Sequence, residues 1–100
     1  RSSERKVTVE EIQRKVAEHY HIRLSDMIGP RRVRTYARPR QIAMYLSKIL
    51  TSRSLPEIGR RFGGRDHTTV MHGVKRIEDL QVIDGQVAED VEMLRRSFQS

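Results

Sequence analysis

From Gly63 to Arg76 the chain reads GGRDHTTVMHGVKR, a two-glycine turn followed by a predicted helix. Asp66 is the expected N-cap, because its short side chain can accept hydrogen bonds from the first free amides of the helix. Val70, Val74 and Ile77 recur at helical spacing and predict one apolar face. The opposite face carries hydroxyl, imidazole and cationic groups, which suit a helix that enters the major groove of DNA. A solvated amphipathic helix with a capped start is the alternative interpretation.

The charge of the chain is strongly positive and unevenly distributed. The 100 residues carry a formal net charge of +7, and the net charge of residues 31–76 alone is +10. Residues 1–30 are nearly neutral and residues 77–100 have a net charge of −4. A basic segment between neutral and acidic ones favours a polyanion as partner, with nucleic acid ahead of an acidic membrane.

Length and composition exclude several classes of protein. One hundred residues correspond to a single domain, which we assign to residues 1–100. The absence of cysteine excludes disulfides and thiol chemistry. There is no apolar run long enough to span a membrane, and the N-terminus lacks the apolar core of a signal peptide. Because the chain does not start with Met, we expect it to be a piece of a longer protein.

Helical signals follow one another along the whole chain. Two capping boxes, Thr8–Glu11 and Ser54–Glu57, predict the starts of two helices. The predicted helices cover about 8–20, 24–28, 39–51, 54–62, 66–81 and 85–98, and the third, with Pro39 at its first position, is the central scaffold. Gly73, inside the fifth helix, suggests close packing against another helix. The fold class is therefore all-α, about six helices around a long central one, with a helix-turn-helix at about 54–81.

Residues 31–38 contain four arginines beside the Gly29-Pro30 break and are predicted to form a basic loop. Such a loop can place a guanidinium in the narrow minor groove of an A·T-rich site. A mobile loop that touches only phosphates is equally consistent with the sequence.

Motifs for enzymatic chemistry are missing. The sequence contains neither a GxxxxGK[ST] phosphate loop nor an HExxH zinc motif. His67 and His72 lie five residues apart, on different sides of a helix, so a shared metal is not expected. Asp66 and His67 could suggest a catalytic pair, but no nucleophile of the expected kind accompanies them, and the side chains of adjacent residues at a helix start diverge. We therefore predict neither an enzyme nor a metal site, and no cofactor.

Three segments resemble one family in order and spacing: residues 37–46, residues 54–59 and residues 63–70. They are similar to the C-terminal DNA-binding domain of the bacterial replication initiator DnaA family. The resemblance extends from about Val7 to the end of the chain and is loose in the last helix. It implies sequence-specific binding to short duplex boxes at the replication origin. The family's ATPase domain, and with it ATP, would belong to another part of the parent protein.

The resemblance also implies the residues that contact DNA. Base contacts in the major groove fall on Asp66, His67, Thr68 and Thr69. Arg32 would enter the minor groove, with Arg34 as its nearest rival. The remaining predicted DNA-binding residues, most of them at the phosphate backbone, are Arg40, Gln41, Lys48, Leu55, Pro56, Arg65, His72 and Arg76.

The expected partner is double-stranded DNA in the bacterial cytoplasm, at the nucleoid. Protein regulators of replication initiation are possible further partners, and acidic phospholipid could act through the parent protein. The alternative function is a basic interaction module that docks an acidic regulatory protein or acidic phospholipid. The sequence does not give the box sequence, the bend imposed on DNA, the identity of regulators, or the oligomeric state.

Overall fold

The computed structural model describes residues 6–30 and 34–99, apart from the side chain of Arg34. These residues form six α-helices and no strand, which confirms the all-α prediction. The helices are α1 (Val9–His19), α2 (Leu24–Ile28), α3 (Arg34–Leu50), α4 (Leu55–Arg61), α5 (His67–Ile83) and α6 (Gly85–Ser97).

Helix α3 lies at the centre of the fold and contacts each of the other five helices. Its residues Ile42, Ala43 and Leu46 are fully buried. Met44 is also in the core. The prediction of a long central scaffold helix is confirmed. No helix in the described part of the chain is both long and apolar enough to cross a membrane.

The start of α3 corrects the prediction of a basic loop at 31–38 for residues 34–38, whereas residues 31–33 lie outside the described part of the chain. Residues 34–38 belong to α3, and Pro39 lies inside the helix rather than at its first position. Pro39 is the sixth residue of α3, so it removes the hydrogen bond to the Thr35 carbonyl and its ring crowds that carbonyl. Tyr36 lies one turn before the buried Arg40 and is itself half-buried. This packing allows the helix to begin on the N-terminal side of Pro39.

The two predicted capping boxes differ in outcome. At α1 the box is complete: the Glu11 amide donates to Thr8 Oγ1 at 3.1 Å, and the Thr8 amide donates to Glu11 Oε1 at 3.0 Å. At α4 the Ser54 hydroxyl accepts from the Glu57 amide at 3.3 Å. The Glu57 carboxylate instead accepts hydrogen bonds from arginines in the last turn of α4. Only half of the second box is therefore formed.

Close packing explains the glycine inside α5. Gly73 is buried, and a Cβ atom added there would lie 3.3 Å from Sδ of Met44 and 3.5 Å from Cγ of Gln41. These contacts are as tight as side chains normally allow. Gly73 therefore lets α5 approach α3 closely, as the sequence suggested.

Candidate nucleic-acid interface

Helices α4 and α5 are joined by a tight turn that sets the orientation of one helix relative to the other. Gly63 and Gly64 adopt positive φ angles of 76° and 77°, a region that favours glycine. The Arg65 amide donates to the Gly59 carbonyl at 2.9 Å. A Cβ atom at Gly59 would lie 2.1 Å from the Arg65 carbonyl oxygen, so the turn can fold back onto α4 only over a glycine. The predicted helix-turn-helix is present.

Asp66 caps α5, as predicted. Its Oδ1 accepts from the Thr69 amide at 2.9 Å. Hydrogen bonds from the backbone and side chain of Thr69 lower the pKa of the Asp66 carboxyl. The residue remains exposed. One carboxylate oxygen can thus cap the helix while the carboxyl group stays accessible to an external donor.

The two faces of α5 divide as the sequence predicts. Val70 and Ile77 are fully buried, and Val74 is nearly so. From His67 to Arg76 the outward side chains are those of His67, Thr68, Thr69, Met71, His72, Lys75 and Arg76, all exposed except the half-buried Thr68. This face is mostly polar, with two imidazoles and two cations among small hydroxyl groups, and Met71 is its one exposed apolar side chain.

Beside this face runs an open groove between α3 and α5, with a volume of about 360 Å³. Six of the predicted DNA-binding residues line it: Arg40, Gln41, Arg65, Thr69, His72 and Arg76. Oε1 of Gln41 is buried and has no hydrogen-bond partner among the described residues. The fold therefore gathers polar and cationic groups that are up to 36 positions apart in sequence.

Two cations of the groove also have internal structural roles. Arg40 is only 7% exposed, and its Nε donates to the Met27 carbonyl at 2.7 Å. The half-buried Arg65 donates to the carbonyls of Ile28 at 3.0 Å and Gly29 at 2.6 Å, and also to that of Phe62. Carbonyls at the end of α2 lack partners within the helix. The two arginines satisfy them and hold α2 against α3 and the α4–α5 turn.

The crowding of these two arginines has an electrostatic cost. Burial first, and then the nearby charge of Arg65, lower the pKa of the Arg40 guanidinium. A DNA contact by Arg40 or Arg65 remains a prediction. Each would contact phosphate with a side chain that is already engaged by backbone carbonyls.

The remaining predicted residues on α3 and α4 lie near the surface. Lys48 is exposed and makes no ion pair within the described residues. It lies two helical turns beyond Gln41, on the same side of α3. At the start of α4, Pro56 is exposed and Leu55 is half-buried. Arg32 lies outside the described residues, as does the side chain of its rival Arg34.

Two cations of residues 31–76 that were not predicted to bind DNA, Arg61 and Arg53, have different surroundings in the structure. The Arg61 side chain pairs with Glu10 of α1 and Glu57 of α4. Arg53, which the sequence did not single out, is exposed immediately before the N-cap of α4. In the sequence, only its position next to the predicted start of α4 could have identified Arg53 as a candidate DNA-binding residue.

In the part of the chain that the structure describes, no group of three His, Asp or Glu side chains is placed to hold a metal ion. His67 and His72 are both exposed on α5 and point in different directions from it.

Comparisons with known proteins agree on one family. The model of the bacterial DnaA protein helix-turn-helix matches residues 9–77. The chain is 79% identical to the chromosomal replication initiator protein DnaA of Roseobacter denitrificans over 99% of its own length, and 64% identical to that of Gluconobacter oxydans. It spans only 22% and 21% of these two relatives.

A solved structure described as a DNA replication initiation factor has the same fold, with a TM-score of 0.79 at 31% identity. The likeness covers 89% of this chain and 27% of the other. The matched family is a helix-turn-helix module and not a catalytic one, which agrees with the prediction that the chain is not an enzyme. The resemblance seen in the sequence is thus confirmed, and the chain belongs to the bacterial DnaA helix-turn-helix family.

Proposed function

We propose that this domain binds duplex DNA sequence-specifically, at origin boxes from which bacterial chromosomal replication is initiated. The observation that carries the proposal is the polar, exposed face at the start of α5, in a family whose relatives are named replication initiators. An α-helix of this kind fits the major groove, where base pairs present distinct donors and acceptors.

In this proposal the first turn of α5 reads bases. His67 and Thr69 are exposed at its N-terminus, and their short or planar side chains permit close approach to base edges. Asp66 can accept a hydrogen bond from the N4 amino group of cytosine while still capping the helix. Thr68, half-buried beside them, offers a hydroxyl and a methyl group. The capped helix start presents all four residues as one rigid unit.

Phosphate contacts would set the orientation of α5 in the groove. Arg76, His72 and Gln41 line the cleft between α3 and α5, and a strand of the duplex backbone can lie along it. Lys48 extends this line on the same side of α3. Leu55 and Pro56 would approach phosphate at the start of α4. Arg32 would contact the neighbouring minor groove, where a narrow A·T-rich site concentrates negative potential.

Footprinting on an origin fragment tests this proposal. Discrete protected segments, each about as long as a helix-turn-helix half-site, are expected at moderate salt, with the same segments protected at every protein concentration above saturation. Uniform protection along the fragment would mean that the basic face binds DNA without reading its sequence.

The alternative partner, an acidic regulatory protein or acidic phospholipid, uses the same charges. Salt would weaken either kind of complex, so salt dependence alone cannot separate them. Competition can: an origin duplex should displace the domain from acidic vesicles, whereas a scrambled duplex of equal composition should do so poorly. We assign the domain to the bacterial cytoplasm, and ATP binding to the part of the longer relatives that this chain does not span.

A further inference from the structure

Helix α1 holds the end of α4 by a part-buried hydrogen bond from the buried side chain of Gln13. The Gln13 side chain is only 3% exposed, and its Nε2 donates to the carbonyl oxygen of Arg61 at 2.7 Å. Arg61 is the last residue of α4. Carbonyls in the last turn of a helix have no partner within it, so Gln13 supplies a donor to a carbonyl that α4 itself leaves unpaired.

The side chain of the same arginine makes a second connection to α1. Its Nη1 pairs with the carboxylate of Glu10, and its Nε donates to Glu57 at 2.8 Å within α4. Glu10 and Gln13 are three residues apart and share one face of α1. Both the backbone and the side chain of Arg61 are therefore fixed by the same turn of α1.

This connection lies directly before the turn into the reading helix. Arg61 precedes Phe62 and the two glycines, and the Arg65 amide bonds back to Gly59 of α4. A tilt of α4 at Arg61 would be transmitted through this short turn to Asp66 and the first turn of α5. Helix α1 itself lies outside the helix-turn-helix and has no predicted base contact.

We propose that Gln13 and Arg61 are positioning residues for DNA recognition, through which α1 aligns the first turn of α5 with the start of α4. This inference rests on the proposed function. Contacts to base edges depend on precise placement of donors and acceptors, whereas contacts to phosphates tolerate displacement. Loss of the connection should therefore lower discrimination between an origin box and random duplex more than it lowers affinity for random duplex.

The test compares Gln13→Met with Tyr20→Phe in the 100-residue chain. The first variant keeps the side-chain volume and removes the hydrogen bond to Arg61. The second is a matched control, because Tyr20 also lies at α1 and donates one hydrogen bond, at 2.8 Å, to Asp90 of α6. Gln13→Met should reduce the ratio of box to scrambled affinity about fivefold, the effect expected of one hydrogen bond. Tyr20→Phe should leave this ratio unchanged.

An unchanged ratio in Gln13→Met, or an equal reduction in Tyr20→Phe, would overturn the inference. If circular dichroism shows that Gln13→Met is unfolded, Glu10→Gln replaces it, with a smaller reduction expected and an unchanged ratio again contradictory. If the unmodified chain does not discriminate at all, the proposed function fails by itself. The positioning role is then judged by amide exchange at Arg65, which should be faster in Gln13→Met than in Tyr20→Phe, and equal rates would overturn it.

Discussion

Oδ1 of Asp66 accepts a hydrogen bond of 2.9 Å from the backbone amide of Thr69, and this bond makes the start of α5 sensitive to acid. Hydrogen bonds from Thr69 hold the pKa of the carboxyl below its usual value of 3.8. A depressed pKa contributes stability above the unfolded value, and this contribution is lost as the pH falls through the folded pKa. The cap should therefore weaken below about pH 4.

Asp66→Asn tests this prediction, because asparagine caps helices equally well and does not titrate. Urea unfolding between pH 2 and 6 should show a shallower loss of stability in this variant than in the unmodified chain. Its DNA discrimination should nevertheless change: the single amide oxygen of asparagine is used in capping, and the remaining Nδ2 amino group cannot accept a hydrogen bond from the N4 amino group of cytosine. Identical pH profiles of the two proteins would contradict the assigned pKa shift.

His67→Ala should reduce discrimination between box and scrambled duplex by about 1–3 kcal/mol, with little change in binding to the scrambled duplex. The reason is the exposed position of His67 at the first residue of α5. Fluorescence anisotropy with both duplexes measures the two affinities. Equal weakening on both would show that His67 is not a base contact.

Lys48→Ala should weaken binding to both duplexes alike and reduce the salt slope by about one. Lys48 is exposed and makes no ion pair in the described part of the chain, so its charge is available to a phosphate. Arg14→Ala is the control, because Arg14 is an exposed cation of α1 beside Phe98, outside the proposed interface. The two variants lose the same charge, and similar slopes in both would refute a specific phosphate contact.

Arg65→Met should destabilise the fold by about 1.5–3 kcal/mol, because it leaves carbonyls at the end of α2 and at Phe62 without a charged donor. Arg60→Met is the control, because Arg60 is exposed and its change should stay within about 0.5 kcal/mol. Denaturant unfolding compares the two variants. Equal stability of the two variants would show that the guanidinium of Arg65 does not support the turn.

Arg32→Ala should cost more affinity on a box flanked by A·T pairs than on one flanked by G·C pairs, since groove width differs between them. Arg34→Ala, its rival, should show no such difference. Equal losses on the two duplexes would leave Arg32 as an ordinary phosphate contact.

Local signals in the sequence predicted most of the fold. Caps at Thr8 and Asp66, and the apolar spacing around Val70, depend on neighbours within four residues, so they can be read directly from the chain. The start of α3 could not be predicted in this way. Four arginines and Pro39 indicate a loop, and only the packing of the first helical turns overrides that local preference. Here local propensity and tertiary packing disagree, and packing decides.

The roles of individual cations depend on long-range contacts and were not predictable. Arg61 meets Glu10 across 51 residues, and Arg65 meets Ile28 across 37. Charge counting places both arginines in a basic segment but does not show the direction of either side chain. For the same reason, the sequence does not predict the positioning role that we propose for Gln13. Its only signal in the sequence is that a polar residue lies next to the apolar face of α1.

Anisotropy with a labelled origin box and a scrambled duplex of equal composition, at two salt concentrations, tests the central claim most directly. The account predicts tighter binding to the box by at least about 10³ at physiological salt, with the ratio preserved when salt is raised. Equal affinity for both duplexes, with a steep salt dependence, would contradict sequence-specific recognition and leave the basic face as a general polyanion site.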